Sequence, residues 1–96
     1  MEYPTLRQLF SSYFHQDWTH EGQSAAAIIA RIVGDAEHDA LLMAAAELRA
    51  LLREKRSDDA LASLVRDRLG CAYAPEASGK SMREWLEEVV RRFELV

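Results

Sequence analysis

The segment YFHQDWTHEG, residues 13–22, is crowded with ionisable side chains that could bind a metal or transfer protons. His15, Asp17, His20 and Glu21 offer the nitrogen and oxygen ligands that zinc, iron or manganese accept. The spacing is unlike that of a helical zinc pair, because His15 and His20 stand five residues apart rather than four. A small metal-dependent helical enzyme built on these four residues is therefore an alternative, and not the favoured interpretation.

The favoured interpretation makes the same segment a polar corner that supports the fold. Its residues are Tyr13, Phe14, His15, Gln16, Asp17 and Trp18. The first two complete the apolar face of a helix, and the next three can bond to the last helix carbonyls and the free N–H groups of the turn. Trp18 then returns a large ring to the core. Polar corners of this kind need no catalytic role.

No other set of residues forms a catalytic group. Cys71 is the only cysteine, and Gly70 before it is suited to the left-handed residue that ends a helix. The negative end of that helix should raise the pKa of the thiol, so we expect Cys71 to be a small core residue. A lone cysteine also forms no internal disulfide, which fits a reducing compartment. We therefore predict a protein that is not an enzyme and binds no metal or cofactor.

Composition and charge indicate a small globular chain with an acidic half. The 96 residues are 49% hydrophobic and predict one domain, residues 1–96. Residues 1–50 carry seven acids and three arginines, whereas residues 51–96 carry nine acids and nine bases. The net charge of −4 argues against direct binding to nucleic acid. The acidic excess in the N-terminal half suggests a basic partner, and a surface that only keeps the chain soluble is the alternative explanation. No apolar run approaches the ~20 residues of a membrane span, so we expect a cytoplasmic chain.

Apolar residues recur at helical spacing in five segments, which predicts an all-α bundle of about five short helices in a single domain. These stripes begin at Leu6, Ala25, Leu41, Leu61 and Trp85. Residues that cap helices stand before several of them. Thr5 with Gln8, and Ser81 with Glu84, have the spacing of a capping box, and Ser57 can cap the fourth helix.

Four segments of the sequence together resemble one known family. They are YPTLRQLFSSYFHQDW at 3–18, EG at 21–22, LGCAY at 69–73 and SMREWLEEV at 81–89. The family is the small helical immunity proteins of bacterial contact-dependent growth inhibition systems. YFHQDW is the most specific part of the resemblance, and REWL near the C-terminus is a second anchor.

The resemblance implies a protein without enzymatic activity in the cytoplasm of the producing bacterium. Such a protein binds the C-terminal toxin domain of a large surface-exported effector, often a nuclease, and blocks its active site or a neighbouring surface. The residues shared with the family, 13–18 and Trp85, are assigned to the fold.

Toxin specificity is expected from exposed acidic side chains in the N-terminal half. These are Glu21, Asp35, Glu37, Asp39 and Glu47. They would meet a basic toxin surface, with the chain acting as a monomer or a weak dimer and contacting neither nucleic acid nor membrane. A second alternative is a homodimeric regulatory module that associates through Ile28, Ile32 and the alanine-rich third helix.

Overall fold

A computed structural model of the chain describes residues 3–14, 24–75 and 79–95, and all the regular structure in these ranges is helical. Five α-helices follow one another along the chain: α1 (Pro4–Tyr13), α2 (Ala25–Asp35), α3 (His38–Arg53), α4 (Asp58–Arg68) and α5 (Met82–Glu94). The prediction of an all-α bundle is confirmed. Within the described ranges, no helix combines the length and the apolar character needed to cross a bilayer.

The third helix, α3, forms the largest helix–helix contact of the bundle. It packs most extensively against α5 and next against α1. Its predicted stripe is buried at Leu41, Leu48 and Leu51, with two alanines between them. Because residues three and four apart share a helix face, this spacing turns one side of α3 toward its neighbours.

The second helix contributes its isoleucines to the same core. Ile28 and Ile32 are completely buried within the chain. The suggestion that these two residues form a homodimer surface is therefore wrong, because their side chains are already occupied by contacts inside the bundle.

The first helix begins differently from the sequence prediction. It starts at Pro4, where the fixed φ of proline favours the first helical position, and Tyr3 before it adopts a left-handed backbone with φ of 53°. The proposed capping box of Thr5 and Gln8 is wrong, because Thr5 lies inside the helix. The Glu47 carboxylate of α3 takes the place of the cap and accepts hydrogen bonds from the backbone N–H groups of Thr5 (3.3 Å) and Leu6 (2.9 Å).

The other two predicted caps are confirmed. The Ser57 hydroxyl accepts from the Ala60 N–H at 3.2 Å, and Ser81 with Glu84 forms a complete capping box at the start of α5. Asp58 adds a contact that the sequence did not predict. Its carboxylate accepts from the N–H groups of the first two residues of α5, at 3.1 and 3.0 Å. Carboxylates of other helices thus stabilise the N-termini of both α1 and α5.

Candidate protein-interaction surface

Three of the predicted specificity residues lie together at the turn between α2 and α3, which we call the acidic corner (Asp35, Glu37 and Asp39). Asp35 is the last residue of α2, Glu37 is the N-cap of α3, and Asp39 lies in its first turn. All three side chains are exposed. The positive end of the α3 dipole is favourable for the negative charges of Glu37 and Asp39, whereas Asp35 lies at the end of α2.

Contacts with α1 and within α2 hold Asp35 of the acidic corner in place. The Tyr13 hydroxyl of α1 donates a hydrogen bond to the Asp35 carboxylate at 3.2 Å. The Arg31 guanidinium lies 4.0 Å from the same carboxylate and 5.8 Å from the centre of the Tyr13 ring. Partial burial, followed by the bond to Asp35, raises the pKa of Tyr13. Asp35 is therefore positioned by α1 as well as by its own helix.

The expectation that Glu47 is exposed is wrong, since its side chain is only 6% accessible. The residue falls between Ala44 and Leu48 on the buried face of α3, and its position in the helix decides its burial. The carboxylate is tolerated there because it accepts two backbone N–H groups at the positive end of α1. Glu47 is a cap for α1 and cannot meet a partner. Glu21 lies outside the described residues.

Most of the segment YFHQDWTHEG also lies outside the described residues. His15, Gln16, Asp17, Trp18 and His20 belong to this part of the chain. Among the residues that the structure does describe, no group of three or more His, Cys, Asp or Glu side chains could hold a metal ion. Because the proposed metal ligands are not in the described ranges, the metal-dependent alternative stays a hypothesis.

Phe14, which lies in the described part of that segment, belongs to an aromatic cluster. The Phe14 ring lies 5.9 Å from Tyr73 and 5.4 Å from Trp85, measured between centroids, and Phe10 lies 5.8 Å from Trp85. Tyr73 and Trp85 are 4.9 Å apart. Aromatic pairs at these distances are favourable beyond the area they bury. The cluster joins the end of α1, the segment after α4 and α5.

The only cysteine packs in the core next to this cluster, as the sequence predicted. Cys71 is buried, and its backbone N–H donates to the Val65 carbonyl at 3.3 Å. Burial raises the pKa of the thiol to about 12. The largest cause is desolvation by the core, whereas the sequence suggested the helix dipole. A thiol in this state is a poor nucleophile.

A polar cleft of about 510 Å³ opens between the start of α1 and α4. Two of its charged side chains pair with each other. Arg56 forms an ion pair with Glu54, and the Tyr3 hydroxyl donates to the same carboxylate at 3.3 Å. None of the described residues that line the cleft is a cysteine, serine or histidine.

Two large apolar side chains are exposed beside the acidic corner. Leu42 is 43% accessible and Met43 is 57% accessible, both near the beginning of α3. The sequence interpretation did not single them out as surface residues. The sequence could have identified them, because both fall outside the buried stripe that runs through Leu41, Ala44 and Ala45.

A helical bundle whose surface carries an acidic corner and exposed apolar side chains is typical of a protein that binds another protein. Comparison with known proteins agrees with this class. The family model of the CdiI immunity proteins matches residues 2–93, so the chain belongs to the CdiI immunity protein family. This confirms the family that the sequence resembled.

Among solved structures, the chain is similar to one described as the crystal structure of a CdiA-CT/CdiI complex from Y. kristensenii 33638. The match has a TM-score of 0.88 and 27% sequence identity, and it covers 97% of this chain and 99% of the other. No curated protein sequence matches the chain.

Proposed function

We propose that this chain binds the CdiA-CT toxin domain of its own contact-dependent growth inhibition system and neutralises it without any catalysis. The observation that carries the proposal is the likeness, at a TM-score of 0.88 and over 97% of the chain, to a structure from a CdiA-CT/CdiI complex. Membership of the immunity protein family, over residues 2–93, points the same way.

The toxin domain in this proposal is a nuclease with a basic surface, and binding takes place in the cytoplasm of the producing bacterium. A nuclease must attract the phosphates of its substrate, which requires lysine and arginine side chains near its active site. The excess of acids over bases in the N-terminal half of this chain, seven against three, complements such a surface.

The acidic corner is the part of the surface that meets the toxin first. Its three carboxylates, Asp35, Glu37 and Asp39, are exposed and lie within five residues of sequence. Closely spaced exposed charges create a local field that steers an oppositely charged partner into the correct orientation. Glu47 has no part in this, because its carboxylate is buried against α1.

Association kinetics at low and high salt test the role of the corner. We expect the triple variant Asp35→Lys, Glu37→Lys and Asp39→Lys to associate with the toxin domain about tenfold more slowly at low salt. The difference from wild type should shrink as salt screens the charges.

The matched control reverses three exposed acids elsewhere on the surface. Asp59→Lys, Asp67→Lys and Glu87→Lys change the net charge by the same amount but lie on α4 and α5. This control should slow association much less than the corner variant, and thermal unfolding checks that both variants are folded. Equal affinity of wild type and corner variant at low salt would exclude the corner from the interface.

A further inference from the structure

The outward side of α3 carries an unusual group of apolar side chains, which we call the α3 outer face (Leu42, Met43 and Ala46). All three side chains are exposed. Within the described ranges the exposed large hydrophobic residues are Leu42, Met43 and Leu95. Two of the three are thus neighbours on one helix, whereas Leu95 follows the end of α5.

The helical repeat places the three side chains next to one another. Ala46 is four residues after Leu42 and three after Met43, and residues at these separations adjoin on a helix surface. The face spans about 6 Å along the axis of α3, at about 1.5 Å per residue. Stability does not require apolar residues at these positions, because the buried side of α3 is formed by other residues.

The two ends of the face along α3 differ in charge. Asp39 precedes Leu42 and Met43 by one helical turn, so the acidic corner adjoins the face directly. On the other side, Arg49 follows Ala46 by three residues, but Glu94 of α5 holds its guanidinium in a bidentate pair at 2.6 and 2.5 Å. Along α3, the unpaired charge next to the face is therefore that of Asp39.

We propose that the α3 outer face is the apolar anchor of the toxin interface. Leu42 and Met43 would insert into an apolar pocket on the toxin that is bordered by lysine or arginine side chains. This inference rests on the proposed function and names the surface that would contact the toxin. A central apolar contact with a charged rim is the usual arrangement of specific protein interfaces. The negative border selects a basic partner over a second copy of this acidic chain.

The two parts of the interface act on different rate constants. The acidic corner acts at a distance and sets the association rate, whereas the anchor makes contact only in the complex and sets the dissociation rate. The exposed thioether of Met43 is flexible and can adapt to an irregular pocket on the toxin.

The test measures association and dissociation rates of the double variant Leu42→Ala and Met43→Ala with the toxin domain. Alanine keeps the helix intact, and both positions are exposed, so the variant should melt close to the wild-type temperature. We expect the affinity to fall about 30-fold or more, almost entirely through faster dissociation. Leu95→Ala is the control, because it removes the most exposed large apolar side chain, at 82%, from a different place, and its binding should match wild type.

The possible outcomes separate the anchor from the proposed function. Wild-type binding by the double variant overturns the anchor and leaves the proposed function standing. A toxin domain that fails to bind even the wild-type chain overturns both. Sedimentation equilibrium of the chain alone provides a third outcome: a wild-type dimer that the double variant loses assigns the face to a second copy of this chain and also overturns the anchor.

Discussion

The ring of Phe14 stands edge-on to the ring of Trp85, with the centroids 5.4 Å apart and the planes at 89°. Phe14 follows α1, and Trp85 lies in the first turn of α5. The Ala72 backbone N–H donates to the Phe14 carbonyl at 2.7 Å and brings the segment after α4 to the same place. Three of the sequence segments that carried the family resemblance therefore meet at one point in the core.

Replacing Trp85 should remove the centre of this aromatic cluster. Trp85→Ala leaves Phe10, Phe14 and Tyr73 facing a cavity, and we expect it to lower the free energy of unfolding by ~3–5 kcal/mol. Trp85→Phe keeps a ring in place and should lose clearly less. Chemical denaturation followed by circular dichroism measures both. An alanine variant that is as stable as wild type would mean that the cluster contributes nothing to folding.

The buried carboxylate of Glu47 should matter for stability in a way that exposed acids do not. Glu47→Ala leaves the N–H groups of Thr5 and Leu6 without an acceptor inside the bundle, and we expect a loss of ~1–3 kcal/mol. Glu87→Ala, on the exposed side of α5, is the control and should change stability by less than ~0.5 kcal/mol. Urea unfolding compares the two, and equal losses would contradict the capping role.

Two glycines should respond to alanine with opposite signs. Gly70 has a φ of +70°, and an added Cβ would lie 3.0 Å from the Cβ of Ser11, so Gly70→Ala should cost at least ~1–2 kcal/mol. Gly34 lies in α2 with nothing within 4 Å of an added Cβ, and Gly34→Ala should stabilise the chain by about 0.5–1 kcal/mol. Thermal unfolding of the two variants measures the difference. A higher melting temperature for Gly70→Ala would contradict the left-handed backbone of Gly70 and its close approach to Ser11.

Burial of Cys71 should make its thiol unreactive and make stability depend on alkaline pH. The folded pKa of about 12 lies above the usual value of 9.0, so the unfolded chain loses this proton first. The stabilising contribution is therefore complete below about pH 9 and is lost as the pH rises toward 12. Labelling by a disulfide reagent at about pH 8 should be slow in the folded chain and complete in denaturant.

Cys71→Ala is the control for the pH effect. Without the thiol, stability between about pH 8 and pH 10 should fall less steeply than in wild type. Identical slopes for the two chains, or rapid labelling of the folded wild type, would show that the thiol is not buried.

Much of the fold follows from local sequence. The apolar stripes predicted the described helices, and Ser57 and Ser81 cap the helices that directly follow them, because these signals act within one or two turns. The start of α1 could not be predicted in this way. Its N–H groups are bound by Glu47, which is more than 40 residues away in sequence, and only the tertiary packing of α1 on α3 brings the two together.

The exposure of the proposed site residues was predicted only in part. Charge counting found Asp35, Glu37 and Asp39, which are exposed, but it treated Glu47 as equivalent. A count of charges contains no information about which helix face is buried, whereas the stripe through Ala44 and Leu48 does. The positions that this stripe leaves out include Leu42 and Met43, the two large apolar residues of α3 that are exposed.

The most direct test of the proposed function is calorimetric titration of the purified chain with the CdiA-CT toxin domain of the same contact-dependent growth inhibition system. We predict one-to-one binding with a Kd near nanomolar, about −12 kcal/mol, together with loss of the toxin's activity at one equivalent. No heat of binding, with the toxin fully active in the presence of excess folded chain, would contradict the assignment of that toxin as the partner.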